Sequence, residues 1–290
     1  MNVLIYDIYG DHIRDWLMGL VGYLREQGHS VVPASQNGPG RRDAEGFRQL
    51  LDGMDHVFLW NGNLEHYQPL RRLARERGVP VTIVEVGWFP QRRWYHLDRL
   101  GINAKSSLMT DDLAWVTQEH LARLDEFAAE YLRGRSWSGP SEYVLCPLQL
   151  EEDTNIQEHS PFRNMQAFID HVERAMFPRD TVVFKAHPVA AQRRYRTRTP
   201  IVRGGDFLKI AESAGRVVGI NSTCLLEAVM MGVPTTALGD GFLTTHRGRE
   251  HKLLAALADR QIPVGSTEIA RWVEPYLTGS GCCTGSLSTE

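Results

Sequence analysis

No apolar run in these 290 residues approaches the roughly 18 that a membrane-spanning helix needs. Cysteine is scarce: Cys146, Cys224, Cys282 and Cys283 are all there are, with no C-x-x-C pair and no metal-like spacing. That argues against a disulfide scaffold and a zinc site, and fits a reducing compartment. An excess of one charge is missing too. With 32 Lys+Arg against 35 Asp+Glu the formal net charge is −3, so no global field draws nucleic acid and anion binding must come from local arginine clusters. No G-x-G-x-x-G follows the first apolar run, which weakens a dinucleotide-binding reading. The opening MNVLIYDIYGD reaches acids too early for a signal peptide and fits a first β-strand, so a cytoplasmic protein is expected.

What is present is an alternation of short apolar strands with amphipathic helices. Val3–Tyr6 reads as a buried strand. Ile13, Trp16, Leu17, Leu20 and Leu24 then recur at helical spacing up to Gly28. A short strand at 31–32, a helix at 44–51, a strand at 56–60, a helix at 64–77 and a strand at 81–85 follow. The aromatic and basic stretch 86–108 reads as a long functional loop, and 110–133 as one amphipathic helix. Linker composition at 134–142 places a domain boundary. Beyond it the pattern repeats, with strands at 143–147, 181–186, 217–220 and 234–238 and helices at 162–177, 207–214, 224–231, 249–260 and 267–277. The expected architecture is α/β: two Rossmann-like, doubly wound domains, 1–134 and 140–277, facing a cleft, with a disordered polar tail at 278–290.

Functional groups in a parallel sheet collect beyond the C-terminal ends of its strands. Gln149 and Asp153 follow one such strand, His187 the next. Asn221, Ser222 and Thr223 stand between a strand and a helix, where hydroxyls and free N–H groups suit an anion. A nucleotide-sugar phosphate calls for N–H donors, hydroxyls and an imidazole or cation, and the sugar carbon for a carboxylate. Ser222 and Thr223 would bond the phosphate, and Glu227 the ribose hydroxyls. Each residue also has a plain structural reading. Asp153 neighbours Glu151 and Glu152 in an acidic loop, and His187-Pro188 can be a capped strand end. Residues 221–223 with Glu227 can be ordinary helix capping, and Glu85 a solvated strand-end carboxylate. Their convergence favours one anion-binding site. Arg193, Arg194, Arg196 and Arg198 could form a solvated surface, meet anionic lipid headgroups or clamp acidic substrate groups; a surface role is the expectation.

PLQLEEDTNIQEHSPF (147–162), FKAHP (184–188) and GINSTCLLEAVMMGVPTTALG (219–239), with VEVGWFP and LDRLGINAKSSL ahead of them, resemble the bacterial capsule-synthesis type β-Kdo glycosyltransferases. These are related to the enzymes that build Kdo linkers of capsules and Kdo caps on O-antigens of lipopolysaccharide. The resemblance runs from about Val84 to Gly239 and implies a GT-B-like enzyme that transfers Kdo from CMP-Kdo with retention. It implies Asp153 as the carboxylate nucleophile, Glu85 as the acceptor-side acid/base, and His187, Ser222 and Thr223 as contacts of CMP, much as in bacterial sialyltransferases. Gln149 and Asn221 would line the nucleotide site, and Lys185, by its charge and position, would neutralise the phosphate or the sugar carboxylate. No metal and no further cofactor is implied; the partners are a CMP-sugar donor and a glycan or glycolipid acceptor, with a peripheral contact at the inner membrane left open. The segment 240–250 matches the family only in part, which leaves other CMP-linked nonulosonic acids open. A UDP- or GDP-sugar transferase or epimerase of the same architecture, and a non-catalytic polysaccharide-assembly protein, are the competing readings.

Overall fold

A computed structural model of the chain describes residues 1–7, 11–35, 44–139, 143–176 and 181–279. The polar tail beyond 279, with Cys282 and Cys283, lies outside the described residues. In chain order the first elements are β1 (Asn2–Tyr6), α1 (Asp11–Glu26), β2 (Ser30–Ala34), α2 (Ala44–Leu51), β3 (His56–Trp60), α3 (Gln68–Glu76), β4 (Val81–Val86), β5 (Trp94–Asp98) and α4 (Gln118–Leu132). Next come β6 (Tyr143–Pro147), α5 (Thr154–Gln157), α6 (Met165–Met176), β7 (Thr181–Lys185), β8 (Ile201–Val202), α7 (Phe207–Ala211), β9 (Arg216–Gly219) and α8 (Thr223–Met230). The last are β10 (Thr235–Ala237), α9 (Phe242–Thr245), α10 (Glu250–Arg260), β11 (Ile262–Pro263) and α11 (Ala270–Leu277).

The chain forms two compact units, residues 1–115 with 260–290, and residues 116–259. The α/β alternation expected in both halves is there, but these units differ from a division at 134–140. Leu132 belongs to a core with Leu145, Val217 and Leu225, and Tyr131 packs against it, so α4 joins the second unit. Trp137 Nε1 donates to Ala214 O at 2.8 Å and extends that attachment. In the other direction, Ile262, Ile269 and Val273 share a core with Val3, Ile5 and Leu17, which returns the C-terminal segment to the first unit. Gly19 permits the return: a Cβ there would stand 2.5 Å from Ser266 O.

The first unit holds the sheet order β11-β5-β4-β3-β1-β2. Strands β1 to β4 pair in parallel, and β5 and β11 add antiparallel strands at one side. Strand β5 corrects the expectation of a continuous loop over 86–108. Tyr95 and Leu97 point into a core while His96 and Asp98 occupy the other face, and both polar groups are buried with partners. Asp98 accepts N–H bonds from Leu100 (2.7 Å), Gly101 (3.1 Å) and Ser107 (2.9 Å), and hydroxyl bonds from Ser106 (2.7 Å) and Ser107 (2.9 Å). That one carboxylate folds the chain after β5 into short turns. The helix expected over 110–133 begins only at Gln118, because Asp111 and Asp112 turn the preceding residues by accepting the N–H groups of Leu113 (2.7 Å) and Ala114 (2.8 Å).

The second unit is an all-parallel sheet of order β10-β9-β6-β7-β8. Apolar clusters cover it on both faces, one built on Phe168 and Phe184, the other on Leu145 and Leu225, as a parallel sheet requires. In the unit's own strand order this is 3-2-1-4-5, so successive connections leave β6 in opposite directions. The switch point lies between β6 and β9, the position where open α/β sheets bind ligands.

Candidate functional site

Two amides bridge that switch point. Gln149, just past β6 and buried, donates through Nε2 to Asn221 Oδ1 at 3.0 Å, and its Oε1 accepts the Asn221 N–H at 3.3 Å. Asn221 Nδ2 in turn lies 3.1 Å from Asn155 O, 3.2 Å from His159 O and 3.2 Å from Asp240 O. These residues shape the floor of the site by tying together the loops after β6, β9 and β10. Gly239 completes the floor, since a Cβ there would meet Ile220 Cγ2 at 2.5 Å and His159 O at 2.9 Å. Beside it opens a small pocket lined by Ser222, Ala237, Gly241, Phe242 and Leu243 among others.

The charged groups stand at the ends of β6 and β7. Asp153 is the N-cap of α5: its Oδ1 accepts the Asn155 N–H at 2.8 Å, which leaves Oδ2 for other chemistry. His187 caps the turn Pro188–Ala190 and accepts the Val189 N–H on Nδ1 at 3.2 Å. A neutral imidazole accepting at Nδ1 carries its proton on Nε2 and presents a donor there. Burial pushes the His187 pKa down; Asp153 opposes the shift and Lys185 adds to it, so the three are within electrostatic reach. Lys185 is 6% exposed, and its Nζ donates to Ala186 O at 3.2 Å; an ammonium has two more protons to give.

The third contribution is the start of α8. Ser222 is its N-cap, with Oγ accepting the Cys224 N–H at 3.3 Å, and Thr223 is its first residue. Cys224 is a free thiol whose pKa is pushed up to about 12 by burial and by Glu227, so it is neutral at pH 7. Glu227, one turn into α8, is raised to about 7, chiefly by burial; a hydrogen bond from the Tyr131 hydroxyl opposes the rise and Asp206 adds to it. Sequence reasoning missed Tyr131, because α4 was assigned to the other domain. It also left Glu151 and Arg193 as surface charges. Glu151 Oε1 accepts the Met165 N–H at 2.9 Å at the start of α6, and Arg193 pairs with Glu151 (3.4 Å) and with Glu152, fastening the loop that carries Asp153 to the segment after His187.

Glu85 lies in the first unit, at the end of β4. Its Oε2 accepts from Asn61 Nδ2 at 2.7 Å and its Oε1 accepts the Val86 N–H at 2.9 Å; Asn61 takes a left-handed φ of 57° to reach it. Directly across the strand pair stands His96, whose Nδ1 bonds Val86 O at 2.9 Å and whose ring stacks on Trp88 at 4.0 Å. Burial depresses its pKa to about 4. Gln261 Oε1 accepts the N–H groups of Trp88 (2.7 Å) and Phe89 (2.8 Å) and so holds the turn after Glu85. The structure thus brings Gln149, Asp153, Lys185, His187, Asn221, Ser222, Thr223 and Glu227 into one unit, and Glu85 into the other. Among the described residues no group of three or more His, Cys, Asp or Glu side chains could hold a metal ion.

Two parallel-rich α/β units with polar side chains at their strand ends define a GT-B-like fold. That fold is shared with two solved structures of KpsC from Thermosulfurimonas dismutans. The β-Kdo 2,7 transferase superimposes with a TM-score of 0.65 at 19% identity, covering 89% of this chain and 90% of that one. The β-Kdo 2,4 transferase does so with a TM-score of 0.61 at 18% identity, with the same coverage. Residues 121–246 match the model of the capsule polysaccharide biosynthesis protein family. A curated relative, protein FixF of Sinorhizobium fredii (strain NBRC 101917 / NGR234), is 27% identical over 198 residues, which are 63% of this chain and 48% of FixF. The chain thus spans about half the length of the curated relative it matches. The match over 121–246 agrees with the capsule-synthesis resemblance read from the sequence, and the KpsC structures share the expected fold.

Proposed function

We propose that the protein is a glycosyltransferase of bacterial surface-polysaccharide synthesis, which transfers Kdo or a related nonulosonic acid from its CMP-sugar to a glycan or glycolipid acceptor. The observation that carries the reading is the gathering of Asp153, Lys185, His187 and the start of α8 at the ends of β6, β7 and β9, around the switch point of the sheet. In this reading Asp153 Oδ2 attacks the anomeric carbon, the bond from that carbon to the phosphate oxygen breaks, and CMP leaves. The charge that develops on the phosphate is met by His187 Nε2–H, the Lys185 ammonium and the N–H groups and hydroxyls of Ser222 and Thr223. Because these groups supply the electrostatic stabilisation, the scheme calls for no metal. An acceptor hydroxyl, relieved of its proton by Glu85, then attacks the same carbon and releases Asp153. Two displacements at one centre retain its configuration.

Glu227, oriented by Tyr131, accepts from the ribose. Gln149 and Asn221 hold the surrounding loops in register. The test is ligand-induced stabilisation: a ligand bound only by the folded state raises stability by RT ln(1 + [L]/Kd), about 2.7 kcal/mol at a hundredfold excess over Kd. CMP is expected to raise the melting temperature where UDP and GDP do not. Preference for UDP or GDP would move the protein to the other nucleotide-sugar enzymes of this fold, and indifference to all nucleotides would favour a non-catalytic assembly role.

A further inference from the structure

Between His187 and Arg203 the chain carries five arginines, Arg193, Arg194, Arg196, Arg198 and Arg203, and no carboxylate. A solvated face ordinarily mixes both signs; a single-sign ribbon in a chain of net charge −3 is a local exception. Its inner side is anchored. Tyr195 and Ile201 pack against the core of the second unit. Gln166 accepts the Arg196 N–H at 2.8 Å and donates to Arg196 O at 2.7 Å. Glu173, which is buried, accepts the Arg198 N–H at 2.6 Å and the Thr197 hydroxyl at 2.7 Å. Arg203 uses its guanidinium on the carbonyls of Ala191 and Arg193 (2.8 Å), and Arg193 uses its own on Glu151 and Glu152.

The outer side carries Arg194, Arg196 and Arg198. Residues 191 to 200 alternate between half-buried and exposed, and these three fall on the exposed positions. Neither Arg194 nor Arg196 forms an ion pair among the described residues, and Arg198 pairs with Glu173 at 3.9 Å while its side chain stays 65% exposed. At the near end of the ribbon Val189 is 78% exposed. We propose that residues 189–198 form a docking surface for a membrane rich in anionic phospholipid, with the three guanidiniums on headgroup phosphates and Val189 at the boundary with the acyl chains. Guanidinium pairs with phosphate bidentately, and the anchored backbone means that little order has to be imposed on binding. The exposed aliphatic side chain suits a lipid boundary and has no use on an acidic glycan. If the proposed transferase activity holds, the Arg193 pairs bring the loop of Asp153 next to this surface, as a lipid-linked acceptor would require. The docking surface itself does not rest on that reading.

The experiment is vesicle co-sedimentation of the full chain at low and high salt, with phosphatidylcholine alone and with phosphatidylglycerol added. The expected result is binding to the anionic vesicles alone, reversed by salt as exposed charges are screened. The triple variant R194Q/R196Q/R198Q should bind about 100-fold more weakly, at roughly fivefold per arginine near an anionic surface, and V189D should weaken binding as well. Unaltered melting temperatures of the variants would show that the fold is intact. Equal binding to neutral vesicles, no binding to either kind, or full binding by the triple variant would overturn the proposal. So would binding to an acidic polysaccharide in place of vesicles, which would make the ribbon a glycan clamp. Failure of CMP to stabilise the protein would count against the transferase and leave these outcomes as they stand.

Discussion

Glu227 on α8 has its ionisation displaced to near neutral pH, and the displacement has a definite sign. Folding lifts its pKa from the ordinary 4.5 to about 7, so the folded state favours the protonated form. That contribution to stability is complete below about 4.5 and is lost as pH rises through about 7. Glu227→Gln is neutral at every pH and keeps a group able to accept from Tyr131. The melting temperature of wild type relative to this variant should therefore fall between pH 5 and pH 8. Parallel curves across that range would show that Glu227 is not held as described. Asp153 poses a different problem, because it both caps a helix and carries the proposed chemistry. Replacement by Ala would remove the cap, worth about 1 kcal/mol, whereas Asn caps as well as Asp. Asp153→Asn therefore separates the two roles.

Among the elements, β5 shows most clearly what a single buried carboxylate can organise. Asp98 takes five N–H and O–H donors from residues 100 to 107, and Arg260 stands 3.9 Å away. Asp98→Ala leaves those donors without an acceptor in a buried place. The expected cost is about 3 kcal/mol or more, read as a melting temperature several degrees lower; an unchanged melting temperature would contradict the assignment. Strands β6, β7 and β9 were legible in the sequence because each is a short apolar run ending in polar residues, and their ends named the candidates of the second unit. Strand β5 was not, since its aromatic and basic surroundings read as loop and its pairing with β4 depends on the turn that Gln261, far along the chain, holds at Trp88 and Phe89. Strand β11 has two residues and exists only through pairing with a strand far back in the chain. Ser222, Asp153 and His187 were legible both as caps and as ligand groups, and the structure shows that all three do cap. Gln149 and Asn221 could be located from sequence, but that they bond each other across the switch point could not.

For the whole molecule, the chain leaves its first unit after residue 115 and re-enters it at 260. An amphipathic helix such as α4 has the same apolar stripe whichever sheet it covers, so a boundary at the Gly- and Ser-containing stretch after it was the natural reading of composition. The contacts of Leu132 and Trp137 decide otherwise. Likewise the helices after residue 249 were expected to close the second half. Alpha helix α10 does, while β11 and α11 complete the core beneath β1 and α1. The second unit accordingly contains every candidate donor-side residue together with the helix that supplies Tyr131, and the first contains Glu85 with its partners Asn61 and Val86. A retaining transfer by this chain needs a carboxylate that becomes covalently loaded with sugar. Intact-protein mass spectrometry of the chain incubated with CMP-Kdo, and with CMP-linked relatives of Kdo, tests that requirement directly. The account predicts a mass increase of one sugar residue, located on Asp153, that disappears when acceptor is added and never forms on Asp153→Asn although that variant still binds CMP. Sugar transfer by Asp153→Asn at the wild-type rate would contradict it.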